Sequence, residues 1–430
     1  MSARRLACWI AMALLGVGVA RATETPKPLP GPLPTETSCV KCHSELDGEL
    51  LEPAKHTGDD IHFIKGLSCH DCHGGDPTAG GDGDPEAAHS VKKGWTGKPK
   101  RSDIPGFCAR CHADAAYMKR FDPKVRVDQL SEYQTSGHGK RLKQGDDKVA
   151  VCVDCHGVHG IRAVADMQSS VHPSRLAETC ARCHTDKDLM FSHNLPVEPY
   201  EDYKKSVHAH ALYDGGDLSA PTCNDCHGSH GAAPPGVESV TSVCGTCHTR
   251  EATLFRETEA KRHLDLSSCI QCVVCHTNHA VLPPTDELMG VGPDSSCTGC
   301  HSEGDPEYKA ADTMYHSLKQ LRGRLAEAHD LLDRAGRAGV EVTPDTYALQ
   351  AAQDQIVEAK VLVHSFDLER YLKATQQGQA VADAGVAAGH HAFAELKFRR
   401  TGLGLFLIVV LAVIVTLTFK VREVGRGSPS

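Results

Sequence analysis

The sequence has few of the residues that usually build a protein core. Aromatic residues make up 5% of its 430 residues, and large apolar runs are scarce before residue 400. A chain of this length would fill two or three ordinary domains, yet it has little large apolar surface of its own to bury. Nor is it basic: the formal net charge of −9 argues against a nucleic-acid partner, which needs a basic face.

What the sequence does have is cysteine and histidine in a fixed arrangement. Cysteine-x-x-cysteine-histidine occurs nine times and uses eighteen of the twenty cysteines. The cysteines are Cys39 and Cys42, Cys69 and Cys72, Cys108 and Cys111, Cys152 and Cys155, Cys180 and Cys183, Cys223 and Cys226, Cys244 and Cys247, Cys272 and Cys275, and Cys297 and Cys300. The closing histidines are His43, His73, His112, His156, His184, His227, His248, His276 and His301. Cys8 and Cys269 lie outside the motifs.

This motif is the attachment signal for c-type haem. Two thiols add to the vinyl groups of one porphyrin, and the histidine becomes an axial ligand of its iron. The sequence therefore predicts nine covalently bound haems c. A disulfide framework would not place a histidine after every second cysteine. Structural zinc would combine such pairs two by two, and nine is odd. A thioredoxin-like pair would occur once per domain.

The occupant of the second axial position decides the chemistry of each iron. Methionine is scarce, whereas eighteen of the 27 histidines do not close a motif, so every haem can have two histidine ligands. The nine predicted distal ligands are His56, His89, His138, His159, His172, His208, His230, His263 and His279. His138, His172 and His208 follow a serine by two residues, while His159, His230 and His279 stand in C-H-x-x-H. His56, His89 and His263 stand alone in cysteine-free stretches. Further candidates for distal ligands are His62, His193, His210, His316 and His364. His70, inside a motif, is a weaker candidate.

Residues 133–190 and 203–250 resemble each other. Each has a Tyr-x-x-Ser-x-His segment, a C-x-D-C-H-G-x-H-G motif and then a simpler motif. We interpret them as a duplicated two-haem unit, with residues 267–280 as a looser third relative.

The N-terminus has the pattern of a secretory signal peptide over residues 1–22. Arg4 and Arg5 precede an apolar segment, and an A-x-A cleavage site ends at Ala22. A retained N-terminal anchor is the alternative. Residues 23–36, rich in proline and threonine, are expected to form an extended linker. The predicted haem domain then covers residues 37–311, with short helices around the motifs and long loops.

Beyond the last motif the composition favours helix. Over residues 312–400 we expect a helical hairpin. Two apolar stripes at three- to four-residue spacing support it: Leu318, Leu321, Leu325, Ala328, Leu332 and Ala335, then Leu349, Ala352, Ile356, Ala359, Val363 and Phe366. Glycines at positions 378, 385 and 389 weigh against one continuous helix up to Leu396.

Residues 401–420 are expected to form a transmembrane helix, because positions 402–419 carry no charge. Basic residues in the tail, 421–430, favour a cytoplasmic C-terminus, although Lys397, Arg399 and Arg400 flank the other end. A buried helix of a soluble protein is the alternative.

The nine motifs, the C-H-G-x-H doublets and the C-terminal membrane helix resemble the membrane-anchored multihaem c-type cytochromes of the bacterial respiratory periplasm. The resemblance implies a mostly α fold with extensive loops and little or no sheet. It also implies a haem domain in the periplasm, anchored to the cytoplasmic membrane. The implied role is electron transfer between the quinol pool or a quinol-oxidising membrane subunit and periplasmic redox proteins or outer acceptors.

The alternative is an enzyme. Multihaem reductases and oxidoreductases of the nitrite, hydroxylamine or tetrathionate type add one five-coordinate haem, often with a long helical segment after the last motif. The many spare histidines and the absence of a C-x-x-C-K variant favour the electron carrier, for which no catalytic residue is expected. A structural or storage role is a third possibility.

Overall fold

The computed structural model describes residues 36–79, 84–237, 239–266 and 271–426. The predicted signal peptide, nearly all of the predicted linker, Cys8, Cys269 and the end of the predicted cytoplasmic tail lie outside these ranges. The described residues form helices and loops without a β-strand, which confirms the mostly α expectation. The chain divides into two compact units, Met1–Tyr200 with Pro221–Pro235 and Glu201–Ala220 with Gly236–Ser430.

Most helices before residue 300 are short. In chain order the first fifteen are α1 (Ser38–Ser44), α2 (Glu52–Lys55), α3 (Ile61–Ile64), α4 (Cys69–His73), α5 (Pro85–Ala88), α6 (Ile104–His112), α7 (Ala115–Met118), α8 (Gln129–Thr135), α9 (Gly137–Lys143), α10 (Cys152–His156), α11 (Pro173–His184), α12 (Lys187–Ser192), α13 (Pro199–Tyr203), α14 (Val207–Tyr213) and α15 (Cys223–His227). The others are α16 (Thr249–Arg256), α17 (Glu259–Leu266), α18 (Val273–His276), α19 (Pro306–Arg337), α20 (Thr343–Ala348), α21 (Gln350–Leu362) and α22 (Leu368–Arg426). Short 3₁₀ helices include Val240–Thr246 and Cys297–Gly299, which carry cysteines of the seventh and ninth motifs.

The C-x-D-C-H motifs form one helical turn with a built-in cap. The aspartate at the third helical position accepts a hydrogen bond from the backbone N–H of the residue before the first cysteine, as in Ser68 to Asp71 at 2.7 Å and Val151 to Asp154 at 2.6 Å. This satisfies an N–H that a helix start leaves unpaired. Glycine then ends the turn in a left-handed conformation, for example Gly157 with φ 83°. These residue types therefore make each motif a short helix that stops directly after its histidine.

In the second unit, the segment after the last motif has the apolar core that the sequence predicts. All six residues of the first stripe are buried in α19, and four of the second, Leu349, Ala352, Ile356 and Ala359, are buried against them. Phe366 is an exception: it has a left-handed φ of 51° in the turn before α22 and is 54% exposed. The second stripe therefore ends one turn earlier than the spacing indicates.

The expected hairpin is a three-helix bundle, because α22 returns along the other two helices. The hydroxyl of Tyr371 donates to the carbonyl of Met314 at 3.3 Å, and further along Gly389 packs on Leu331. Helix α22 therefore runs parallel to α19. Helix α21 runs antiparallel to both.

The three glycines that weighed against a continuous helix are places of close approach. An added Cβ at Gly378, Gly385 or Gly389 would lie 2.5–2.7 Å from a leucine side-chain atom of the neighbouring helices. The helix keeps its backbone hydrogen bonding while packing too tightly for a side chain at these positions. These glycines therefore do not interrupt the helix, because close packing against the neighbouring leucines outweighs their low helix propensity.

Helix α22 continues from the bundle into the apolar segment. It is long and apolar enough to cross a membrane, and none of its most apolar window is buried. This is consistent with a single C-terminal anchor, and it differs from the buried helix that was the alternative.

Candidate haem-binding sites

For seven of the nine motif histidines the structure describes a ring contact with a histidine from outside the motifs, with stacked, tilted or edge-on rings. The pairs and their ring-centroid distances are His43–His89 (6.3 Å), His62–His112 (6.0 Å), His73–His159 (6.4 Å), His138–His184 (6.2 Å), His156–His230 (6.1 Å), His208–His248 (6.4 Å) and His276–His364 (5.9 Å). Every one of these pairs joins one motif histidine to one other histidine, and no histidine belongs to two of them; His73 and His89 also contact Trp95. Each pair also lies within one compact unit.

These distances fit two imidazoles on opposite sides of one iron. A metal–nitrogen bond of about 2 Å on each side, with about 1.2 Å from nitrogen to ring centre, separates the centroids by about 6.4 Å. Ordinary aromatic packing gives similar distances, so the distance alone is not diagnostic. The one-to-one pairing is the informative feature, because random packing would also join two motif rings or two others.

Five predicted distal ligands belong to these pairs: His89, His138, His159, His208 and His230. His62 and His364, which were further candidates for distal ligands, complete the other two pairs.

The remaining four predicted ligands are His56, His172, His263 and His279. The half-exposed ring of His56 lies 3.8 Å from a Glu52 carboxylate oxygen. Buried His172 uses Nδ1 to accept from the Ser174 N–H at the start of α11. His263 lies in α17, and His279 has a left-handed φ of 37°. Ligation by these four stays a prediction.

The histidines of three pairs occupy the same local structure. Ser136 caps α9 by accepting the Gly139 N–H at 3.0 Å, while its hydroxyl donates to the Tyr133 carbonyl at 2.7 Å. His138 is the second residue of the helix that this cap begins.

His208 stands in the same position after Ser206, which accepts from Ala209 and donates to Tyr203. His62 follows the cap Asp60, whose carboxylate accepts the His62 N–H at 2.8 Å. In all three cases the ring lies beside the histidine of the second motif downstream. The signal for His62 was therefore present in the sequence, as a cap residue followed two positions later by histidine.

Histidines in the C-H-x-x-H arrangement follow a second rule. His159 belongs to the fourth motif and pairs with His73 of the second, whereas His230 belongs to the sixth and pairs with His156 of the fourth. The glycine after each motif histidine turns the chain, so the second histidine points away from its own motif. In both cases the second histidine of one motif pairs with the closing histidine of the motif two positions earlier in the chain.

Consecutive motifs lie next to one another within each unit. The thiols of Cys108 and Cys152 lie next to each other, as do those of Cys180 and Cys223. In the second unit the thiols of Cys244 and Cys272 are likewise adjacent.

Arginines reinforce this order in the first unit. Arg110, inside the third motif, donates to the carbonyl of Cys72 in the second at 2.5 Å. Arg182, inside the fifth, donates to the carbonyl of Asp154 in the fourth at 2.7 Å. Sites that are neighbours in sequence are therefore neighbours in space.

The electrostatics suit neutral, ligand-type imidazoles. Burial lowers the pKa of His112, His156 and His184, because the charged form loses its hydration. Only a neutral imidazole can donate its lone pair to iron. Burial also raises the pKa of Cys72 and of Cys155 to about 11, so these thiols are protonated near neutral pH and unlike the low-pKa thiols of redox catalysts.

The donor sets suit a haem better than a bare ion. Over the ranges that the structure describes, no three His, Cys, Asp or Glu side chains are grouped to hold a metal ion. A structural zinc would need four such ligands, whereas a haem iron takes two axial ligands from the protein. The eighteen motif cysteines are also free of disulfides. Comparison of the chain with protein-family models, with curated proteins and with solved structures finds no match.

Proposed function

We propose that this chain is a membrane-anchored, multihaem c-type cytochrome that carries electrons along nine covalently attached haems in the bacterial periplasm. The observation that carries this proposal is the set of seven ring pairs, each joining one motif histidine to one other histidine. The motif cysteines would hold the porphyrins, and the paired histidines would be the axial ligands. When bound, haem supplies one-electron iron chemistry.

Two histidines on one iron leave no position for a substrate. The paired rings would therefore keep seven of the sites in the form that transfers electrons without binding small molecules. The burial that lowers the pKa of several of these imidazoles keeps them neutral near pH 7. Two histidines also favour a lower reduction potential than a histidine–methionine pair.

The order of the motifs supports stepwise transfer. Within the first unit, contacts or hydrogen bonds link the second motif to the third, the third to the fourth and so on to the sixth. Haems attached at such neighbouring motifs would lie close together, so electrons would pass along each unit without large movements of the chain.

In the second unit a long stretch of helix separates the proposed haem site at His276 and His364 from the apolar segment. His364, paired with His276, lies just before α22 begins at Leu368, and the apolar segment starts near Gly402. The intervening 34 residues of continuous helix span about 50 Å. This favours delivery of electrons by a separate redox protein or a projecting membrane subunit over direct contact of this site with quinol in the bilayer.

A second candidate function, a multihaem reductase, is favoured by one specific observation. Among the described residues, which include every histidine of the chain, no second imidazole ring lies against His301 of the ninth motif. A haem there would have an open axial position, as a substrate-binding haem requires.

The haem content of the exported protein tests the proposal. We expect a pyridine haemochrome assay to give nine haems per chain. In Cys226→Ala we expect the number of haems with the normal attachment to fall by one. Asn224→Ala, between the same two cysteines, is the matched control and should retain nine. An unchanged spectrum in Cys226→Ala, or a colourless wild-type protein, would reject covalent haem at this motif or in the whole chain, respectively.

A further inference from the structure

The cap that positions His138 and His208 occurs a third time. Thr258 is buried at the start of α17, accepts the Lys261 N–H at 3.1 Å and donates to the Phe255 carbonyl at 2.8 Å. Ser136 and Ser206 make the same two bonds in the earlier helices, each with a tyrosine carbonyl as acceptor. The eighth and ninth motifs follow this cap, as the fourth and fifth and the sixth and seventh follow theirs.

The third copy lacks the histidine. The second helical residue, which is His138 in α9 and His208 in α14, is Ala260 in α17. In the other copies this residue pairs with the second motif downstream, which here is the ninth. His301 is also a motif histidine against which no second ring lies within the part of the chain that the structure describes. Two independent observations, the substitution in the repeat and the missing ring contact, thus converge on one site.

The surroundings of His301 suit a proximal ligand. Its Nδ1 lies 3.9 Å from a carboxylate oxygen of Glu307 in the first turn of α19. An anionic group on the Nδ1 side orients an imidazole and increases its basicity toward a metal on Nε2. Glu307 would therefore support ligation of a haem iron by Nε2 of His301, whereas the position of the second ligand in the other repeats is Ala260 here.

We propose that the haem attached at Cys297 and Cys300 has an exchangeable sixth position and binds small lone-pair ligands, such as carbon monoxide when ferrous and azide when ferric. This inference rests on the proposed function, because it requires haem at the ninth motif. It assigns the open position to one of nine sites and makes Ala260 the residue that creates it. His263, one helical turn beyond Ala260, is the side chain whose ligation would close the site.

Carbon monoxide titration of the dithionite-reduced wild-type protein tests the proposal. We expect one molecule bound per nine haems. Cys297→Ala/Cys300→Ala, which removes the ninth haem, should bind none while retaining eight haems. Ala260→His should restore the pattern of the other repeats and abolish binding. His208→Ala is the matched control: it opens the seventh motif in the same way and should raise the stoichiometry from one to two.

Several outcomes would overturn the proposal. Wild-type protein that contains nine haems but binds no carbon monoxide has no open site, and gain of one bound molecule in His263→Ala would then identify His263 as the ligand. Binding that persists in the double cysteine variant would place the open haem at another motif. Absence of haem from the exported protein would instead reject the proposed function itself, so the haemochrome ratio separates the two failures.

Discussion

The two kinds of structure in this chain differ in what fills their interiors. In the helical bundle, nineteen hydrophobic side chains form one buried cluster between Met314 and Ala392. In the first unit, only seven hydrophobic side chains in its described part are buried, and three of them are alanine or methionine. Its other buried groups are largely serine and threonine caps that organise helix starts. The bundle therefore has a core of its own, whereas the described part of the first unit buries few apolar side chains.

The largest expected effect follows from this difference. Protein produced without haem attachment should lose fixed structure across residues 37–301, because too little apolar surface remains to offset the conformational entropy of that region. The bundle should persist. Limited proteolysis read by mass spectrometry should show cleavage throughout the motif region and protection of residues 306–400. Equal protection of both regions would show that the motif region has a sufficient core without haem.

The next largest effect is a change in the spin state of one haem iron, which we expect when a paired histidine is replaced but not when a surface histidine is replaced. His364→Ala should leave nine haems in place but convert one from low spin to high spin, because His276 would lose its partner. His329→Ala, on an exposed position of α19, should leave the spectrum unchanged. Low-temperature EPR of the oxidised proteins measures both, and identical spectra for the His364 variant and wild type would exclude His364 as a ligand.

Packing in the bundle can be tested independently of haem. An alanine at Gly389 would place its Cβ 2.6 Å from Leu331 Cβ, and we expect this overpacking to destabilise the protein by about 1–3 kcal/mol. Gly323→Ala, where a Cβ meets nothing within 4 Å, should stabilise by about 0.5–1 kcal/mol through helix propensity. Denaturant unfolding measures the free energy of unfolding of both variants. Equal values for the two variants would show that α22 does not approach α19 this closely.

The smallest effect concerns pH in the first unit. A hydrogen bond with the Leu189 carbonyl and an ion pair with Asp146 at 2.7 Å raise the pKa of His193. Its contribution to stability is therefore full below its unfolded pKa of about 6.5 and is lost as the pH rises through the higher folded value. At low pH the pair fails again when Asp146, whose pKa is lowered by His193, becomes protonated.

His193→Gln should remove this dependence. Its melting temperature should approach that of wild type at pH 8 and fall below it near pH 5.5. Parallel curves for the two proteins across this range would mean that the ion pair does not contribute to stability.

Much of this organisation could be predicted from residue types and spacing. The helical turns at the motifs, the two stripes of the bundle and the apolar C-terminal helix all follow from local patterns. The repeated spacing around His138, His159, His208 and His230 predicted these four residues as distal ligands. Each of these features depends on residues within one or two helical turns.

Other features depend on contacts between distant segments. His364 lies 88 positions after His276, and no local pattern distinguishes it from other helix-terminal histidines. The third helix of the bundle was missed because glycine has a low helix propensity. Only the structure shows that these positions lie too close to Leu331 and its neighbours for a larger side chain. The motif that follows Ala260 was expected to be like the others, since the matching cap became recognisable only from its hydrogen bonds.

The most direct measurement of the central claim is the intact mass of the exported, mature chain, followed by peptide mapping of its cysteines. We predict a mass increase equal to nine haems, with thioether linkages at the eighteen motif cysteines and none at Cys269. A chain with the mass of the polypeptide alone, or with its motif cysteines recovered as free thiols in a folded protein, would contradict the account.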